Sequence, residues 1–139
     1  MPLRSRGITL LELLVAMAIV AILASAALPA WRGLVVRAGR MDATAALMHV
    51  GAAQERHRFV HGAYAPATHE PPPSGLGFHT SERGWYVLSI VRADATTFLA
   101  EARPAAGSPQ QDDPLCRVFT LDETGRRGSA PGGVEECWP

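Results

Sequence analysis

The chain begins with one long apolar stretch. Between residues 8 and 28 the only charged side chain is Glu12, and an apolar helix of about 20 residues is long enough to cross the hydrocarbon core of a bilayer. A carboxylate within that core costs on the order of 2.5 to 3.5 kcal/mol by insertion scales, so Glu12 needs a partner or a functional reason. The pattern predicts a transmembrane helix over 8–28 in which one acid has a special role.

Helical periodicity continues beyond Pro29, which lacks a backbone donor and can kink a helix. Apolar residues recur at spacings of three and four along one side, which predicts an amphipathic helix over 29–59. We expect this apolar stripe to pack on the protein's own sheet, and the alternative is a self-sufficient coiled coil. The stripe consists of Trp31, Leu34, Ala38, Met41, Ala45, Met48 and Ala52.

The rest of the chain predicts a loop followed by a small sheet. Frequent glycine and proline over 60–84 exclude a long regular element there. Alternating, β-branched and aromatic runs then predict three strands and a shorter fourth one within 85–129. A long amino-terminal helix packed on an antiparallel sheet of three to four strands is an α+β fold. The predicted strands are 85–91, 96–103, 115–121 and 126–129.

Composition and charge limit the possible functions. The 139 residues leave room for one modest globular domain after the apolar segment. The 13 basic residues are all arginine and balance 13 acidic residues. Without residues 1–7 the chain loses Arg4 and Arg6 and becomes slightly acidic. Its overall charge therefore gives no support for nucleic-acid binding.

Two cysteines, Cys116 and Cys137, lie near the carboxyl terminus with 20 residues between them. An even pair in a chain whose apolar start directs it out of the cytoplasm predicts a disulfide. In the chain-entropy model a bond closing such a loop contributes roughly 3 kcal/mol. The alternative is two free, buried thiols.

The sequence offers no catalytic motif. His57 and His61 have the spacing of two ligands on one helix face, but Arg56 and Arg58 flank them and would repel a metal cation. We therefore predict helix-surface histidines. There is no G-x-S-x-G or CxxC sequence, and the glycines at 75 and 77 lack the third glycine of a dinucleotide site. We predict no enzymatic activity, no cofactor and no metal.

Residues 7–15 resemble the processing site of type IV prepilins, which pilins share with the pseudopilins of type II secretion. A glycine is followed by an aliphatic residue, by Thr-Leu-Leu, and by a glutamate at the fifth position. In that family a membrane peptidase cuts after the glycine and methylates the new amino terminus. The resemblance implies that residues 1–7 are a leader, that cleavage falls between Gly7 and Ile8, and that Ile8 becomes N-methylated.

This resemblance gives Glu12 a role in assembly. Cleavage creates a cationic amine at Ile8, and a buried acid can neutralise the amine of a neighbouring subunit. Burying the two charges as a pair is far less unfavourable than burying either alone. We predict that Glu12 sets the register of subunits whose apolar helices pack together. Arg4 and Arg6 would keep the amino terminus in the cytoplasm by the positive-inside rule.

Downstream motifs resemble the minor pilins of type IVa systems, which are PilE-like. These motifs are Gln54-Glu55-Arg56, Gly62-Ala63-Tyr64, Gly84-Trp85-Tyr86, Asp113-Pro114-Leu115-Cys116 and Cys137-Trp138. The resemblance implies a pilin fold with a globular domain over 29–139. It also implies that the disulfide-bounded region 116–137 forms an exposed surface.

The expected function follows from the same resemblance. The chain would be a structural subunit of a type IV pilus that supports adhesion, twitching motility or DNA uptake. Its partners would be the major pilin, other minor pilins, the prepilin peptidase and methyltransferase, and the inner-membrane assembly machinery. It would cross the inner membrane once, with a periplasmic globular domain, before it enters the surface pilus.

Two other identities fit parts of the sequence. A type II secretion pseudopilin shares the processing site but typically lacks a carboxy-terminal disulfide loop. A secreted binding protein would use Ala24-Ser25-Ala26 as a signal-peptidase site and be released after Ala26. Glu12 fits that second identity poorly, because it interrupts the apolar core of a signal peptide.

Overall fold

The computed structural model describes residues 8–138, so Gly7, on one side of the predicted cleavage site, lies outside the described residues. The chain divides into two compact units, one ending at Leu34 and the other beginning at Val35. A single helix, α1, spans Leu10–His61. Pro29 lies inside α1 without ending it.

The first unit consists of the exposed, apolar part of α1. Thr9 precedes the helix and its hydroxyl accepts a hydrogen bond of 3.2 Å from the backbone N–H of Glu12, which caps the first turn. The apolar part of α1 is not buried, and α1 is long and apolar enough to cross a membrane. The boundary between a membrane segment and a globular domain at residues 28 and 29 stays a prediction.

The second unit contains a four-stranded antiparallel sheet with strands in the order β1-β2-β3-β4. A single turn of helix, α2, follows at Val134–Cys137. The predicted α+β fold, with a long helix and a small antiparallel sheet, is confirmed. The strands are β1 at Tyr86–Ala93, β2 at Phe98–Pro104, β3 at Cys116–Asp122 and β4 at Arg127–Pro131.

Carboxylates fix both hairpin turns of the sheet. Asp94 accepts hydrogen bonds of 2.7 Å from the backbone N–H groups of Thr96 and Thr97 between β1 and β2. These bonds hold the pKa of Asp94 well below its ordinary value. Asp122 does the same for the turn between β3 and β4, where Gly125 adopts a φ of +78° that other residues rarely adopt. Side-chain hydrogen bonds therefore stabilise both turns, and the turn between β3 and β4 also needs a glycine.

One hydrophobic core joins the second unit's part of α1 to one face of the sheet. Ala43, Leu47 and Val50 of α1 are completely buried in it. Full burial of each large apolar side chain contributes roughly 1.5 to 3 kcal/mol. The sheet contributes Tyr86, Leu88, Phe98, Ala100, Ala102, Phe119 and Leu121 to this core.

The prediction that the apolar stripe of α1 packs on the sheet was wrong. Met41 is 61% exposed and Met48 is 48% exposed. A neighbouring face is buried instead, and it consists of Gly39, Ala43, Leu47, Val50, Ala53, Gln54 and His57. Any side chain at Gly39 would collide with the side chain of Gln110. Glycine at this position therefore lets α1 pack against the Gln110 side chain.

Candidate functional site

The amino-terminal part of α1 presents an unbroken apolar surface. Ile8, the first described residue, is 77% exposed, and Leu10, Leu11 and the following large side chains are also exposed. Glu12 is exposed within this surface, and between residues 8 and 138 its carboxylate forms no ion pair. An apolar surface of this extent is typical of a membrane or protein contact.

The carboxy-terminal segment is closed by the predicted disulfide. Cys116 at the start of β3 and Cys137 at the end of α2 are bonded, with their Cα atoms 5.5 Å apart and both residues completely buried. The bonded pair is confirmed, and the alternative of two free thiols is wrong. The closed segment contains β3, β4 and α2.

A single arginine on α1 binds both ends of this segment. Arg40 donates through Nε to Asp113 Oδ2 at 2.8 Å and through Nη2 to Asp113 Oδ1 at 3.0 Å. Its third nitrogen, Nη1, donates to the backbone carbonyl of Glu136 at 3.1 Å. We call these contacts the Arg40 clamp. They attach the residues just before Cys116 and Cys137 to the same turn of α1.

Asp113 accepts hydrogen bonds from Arg40 and from two backbone groups. Its side chain is completely buried, and Oδ1 also accepts hydrogen bonds from the backbone N–H groups of Leu115 and Cys116 at 3.0 and 3.1 Å. Burial alone would raise the pKa of Asp113, but the hydrogen bonds from Arg40 and from the two backbone groups outweigh it and lower that pKa. The carboxylate is therefore held in its charged form.

Gln110 completes the attachment of this region to α1. Its Oε1 accepts a hydrogen bond of 3.1 Å from the hydroxyl of Tyr86, and its Nε2 donates to the carbonyl of Val35 at 3.3 Å. Burial raises the pKa of Tyr86 above its ordinary value, which keeps the phenol protonated as a donor. Glycine at position 39 provides the space that the Gln110 side chain occupies.

Sequence reasoning missed the Arg40 clamp. Asp113 entered only as part of a motif beside Cys116, and Arg40 was one of many polar residues on the helix. The two residues are separated by 73 positions, and no local spacing rule connects them. The available signal was indirect: Asp113 stands two residues before a leucine and three before the cysteine, where a carboxylate can accept backbone N–H groups.

Two exposed arginines stand at the turn between β3 and β4. The guanidinium carbon of Arg127 lies 5.2 Å from the ring centroid of Trp138, whose Nε1 donates to the carbonyl of Gly128 at 2.9 Å. Arg126 is also exposed. Within residues 8–138 neither guanidinium forms an ion pair with a carboxylate. Both are available to an external anion.

Arg92 is exposed at the same end of the sheet. It pairs in register with Leu99 of β2, and Leu99 pairs with Asp122 of β3, directly before the turn that bears Arg126 and Arg127. The topology therefore brings three arginines from two separate parts of the sequence to one end of the sheet, with Arg92 and Arg127 on its opposite edge strands, β1 and β4.

The prediction of helix-surface histidines was wrong for His57. This residue is only 8% exposed, and its Nδ1 and Nε2 lie 2.8 and 2.9 Å from the carbonyl oxygens of Ala63 and Pro73. His61, one turn later, is exposed. Among the residues that the structure describes, no group of three or more ligating side chains is arranged to hold a metal ion.

Two family models match the chain. The model described as "Prokaryotic N-terminal methylation motif" matches residues 2–28. The model described as "Type IV minor pilin ComP, DNA uptake sequence receptor" matches residues 29–120, which is well over half of the chain. The chain belongs to the type IV minor pilin family.

Two solved structures similar to this minor pilin are described as pilins. A type IV pilin from Shewanella oneidensis is 25% identical, with a TM-score of 0.48 over 75% of this chain and 98% of that chain. The non-core minor pilin PilV of Neisseria meningitidis is 18% identical, with a TM-score of 0.47 over 77% of this chain and 93% of that one. No curated protein matched the minor pilin.

Family membership confirms the resemblance found in the sequence. As a minor pilin, the chain is a structural subunit of a type IV pilus that assembles with other pilins and the pilus machinery. Its apolar helix serves for membrane anchoring. Neither the type II secretion pseudopilin nor the secreted binding protein receives support from the family models.

Proposed function

We propose that this minor pilin belongs to a pilus that takes up DNA, and that its globular unit contacts the DNA directly. One observation carries the proposal: the family model that matches residues 29–120 describes a receptor for DNA uptake sequences. Adhesion and twitching motility, the other activities that the sequence resemblance implies, stay predictions.

The proposed processing and assembly of the chain begin at the inner membrane. The prepilin peptidase cuts between Gly7 and Ile8, and Ile8 is methylated, which the motif match over residues 2–28 supports. Residues 8–28 hold the chain in the inner membrane with the globular unit in the periplasm. Glu12 then pairs with the amine of a neighbouring subunit, and the major pilin and other minor pilins cover the apolar helix.

The proposed DNA contact is the end of the sheet that carries Arg92, Arg126 and Arg127. Guanidinium groups bind phosphate oxygens through charge-assisted, often bidentate hydrogen bonds. Stacking on Trp138 holds the planar group of Arg127 in place. Because the chain is close to neutral overall, we expect binding to depend on individual contacts between arginine and phosphate and not on net charge.

Replacing Arg126 and Arg127 together by alanine should weaken DNA binding and its salt dependence. In a plot of log affinity against log salt concentration, each phosphate contact contributes about −0.9 to the slope. The slope of the double variant should therefore be less negative by about 2. Fluorescence anisotropy of a labelled duplex, with the full chain in detergent micelles, measures this over about 50 to 200 mM salt.

Arg103→Ala is the matched control for that experiment. Arg103 is an exposed arginine near the opposite end of β2, and it is already paired with Glu101. Its removal should leave the slope unchanged. Equal slopes for the double variant and the parent chain would exclude Arg126 and Arg127 from the DNA contact.

Mass spectrometry of sheared surface fibres should identify this chain with an N-methylated Ile8 as its first residue. The intact mass reports the methyl group and the disulfide together, and presence in the fibre reports incorporation. A chain that starts at Ala27 and is found only in the soluble fraction would contradict the proposed processing. A start at Ile8 without fibre incorporation would contradict the assembly step instead.

A further inference from the structure

The loop after α1 is attached to the helix through two side chains. Gln54 binds Ala65 twice, by donating from Nε2 to its carbonyl at 2.9 Å and by accepting from its N–H at 2.7 Å. His57, one turn later, reaches the carbonyl oxygen of Ala63 with Nδ1 and that of Pro73 with Nε2. The amide contacts do not depend on protonation, whereas the imidazole contacts do.

Both neighbours of the His57 ring are hydrogen-bond acceptors. A carbonyl oxygen offers only lone pairs, and a neutral imidazole carries one N–H group and one bare nitrogen. A neutral ring can therefore donate to Ala63 or to Pro73, but not to both. At 2.8 and 2.9 Å, the second contact would place the lone pair of nitrogen against the lone pairs of oxygen. Only the doubly protonated ring satisfies both carbonyl groups.

We propose that His57 is a proton-dependent clasp that closes residues 71–77 onto the end of α1. In its imidazolium form the ring holds Ala63 and Pro73 together. When it loses a proton, the contact with Pro73 is released, because Gln54 keeps the neighbourhood of Ala63 in place through Ala65. The conformation of this loop then depends on pH.

The titratable and charged side chains closest to the His57 ring are those of His61 and Arg56. The ring of His61 lies 4.4 Å away, centroid to centroid, with the planes inclined by 44°. Arg56 lines the adjoining cavity of about 200 Å³. Both can repel an imidazolium, while the two carbonyl dipoles stabilise it. The loop contributes only Pro72, Gly75 and Leu76 to this cavity, none of which titrates.

The other charged side chains near His57 on α1, those of Arg58 and Glu55, bind the hydroxyl of Tyr64. Arg58 donates to the hydroxyl of Tyr64 at 3.0 Å, and that hydroxyl donates to Glu55 at 2.7 Å. Within the described residues, no carboxylate forms an ion pair with His57. The closed form is therefore stabilised by backbone carbonyl groups, and these do not titrate.

Nitrogen NMR of the full chain in detergent micelles, with labelled histidine, tests the charge of His57 directly. Spectra recorded at about pH 5 and about pH 8, on either side of the ordinary range of imidazole, should show two N–H groups on the ring in the closed form and one in the released form. Hydrogen exchange should show the order of the loop, because Leu76 and Gly77 donate backbone hydrogen bonds to Ala67 and Glu70. Their protection factors should fall by about tenfold over the same range, as expected for one lost bond to a charged donor.

Matched variants separate the clasp from general effects of pH. His57→Gln cannot titrate, so its loop should show the same protection at both pH values. His61→Gln should retain the full pH dependence, because His61 bonds neither carbonyl. Equal protection of the parent loop at both pH values, or a single N–H on His57 throughout, would overturn the proposal. The NMR measurement needs no variant, so it decides the matter even if His57→Gln fails to fold.

Discussion

Asp113→Asn should lower the free energy of unfolding by about 3 to 5 kcal/mol, the usual loss when a buried ion pair keeps only one partner. The amide preserves an oxygen that can accept from Leu115 and Cys116, but its NH2 group replaces Oδ2, so the change removes both the charge opposite Arg40 and the acceptor of its Nε–H. Arg40 itself is only 16% exposed and cannot recover its hydration fully. Urea unfolding of the full chain in detergent micelles, followed by near-ultraviolet circular dichroism, measures the difference.

Arg103→Ala supplies the comparison. It breaks the ion pair with Glu101, in which the arginine side chain is 60% exposed, and should change stability by no more than about 1 kcal/mol. A loss this small for Asp113→Asn as well would mean that the Arg40 clamp adds nothing beyond a surface ion pair.

The effect of Asp113→Asn should also depend on pH. Folding lowers the pKa of Asp113, so the folded protein binds the proton less tightly than the unfolded chain does. The stability that the carboxylate contributes is therefore present above the unfolded pKa of about 3.9 and is lost as the pH falls through the folded pKa. The difference between parent and variant should shrink on acidification below about pH 4. A constant difference would show that Asp113 does not act through its charge.

Glu12→Ala should leave membrane insertion intact and reduce incorporation into pili by at least about tenfold, a change that corresponds to about 1.4 kcal/mol. Removing the acid eliminates an insertion penalty of about 2.5 to 3.5 kcal/mol. It also leaves the amine of the neighbouring subunit without its proposed partner in an apolar core. Quantifying the chain in the membrane fraction and in the sheared fibres of one culture measures membrane insertion and incorporation into pili.

Ser25→Ala is a suitable control for Glu12→Ala. The hydroxyl of Ser25 lies in the same exposed segment but donates to the carbonyl of Ile22 within its own helix at 2.7 Å. It has no need of a neighbouring subunit, so its removal should not affect assembly. If Glu12→Ala fibres contained the normal amount of this pilin, charge pairing would have no part in assembly.

The local pattern was sufficient to predict most of the fold. The apolar stretch and its continuation past Pro29 predicted α1, and alternating residues predicted four strands to within about two residues of their observed ends. The buried face of α1 was not predictable from the same pattern. Large residues such as Met41 suggested the wrong face. The buried face begins with Gly39 and Ala43, which carry almost no hydrophobic signal, although it continues with Leu47 and Val50.

Contacts between distant residues account for what the sequence could not predict about the site. Cys116 and Cys137 were paired correctly because only two cysteines exist. Arg40 and Asp113 are one of many possible acid and base combinations, and only the packed structure selects them. His57 was misplaced for a related reason, because its partners are backbone carbonyl groups, which every residue possesses.

The Arg40 clamp and the disulfide both hold the base of the carboxy-terminal segment and leave its tip untouched. Asp122 and Gly125 fix the tip locally, through hydrogen bonds that span only a few positions. A foreign peptide inserted after Thr124 would break the local bonds between Asp122 and Arg126, but the clamp and the disulfide would still hold the base of the segment. This position is suited to carrying an affinity tag or a fluorophore acceptor sequence, through which single fibres could be labelled in living cells.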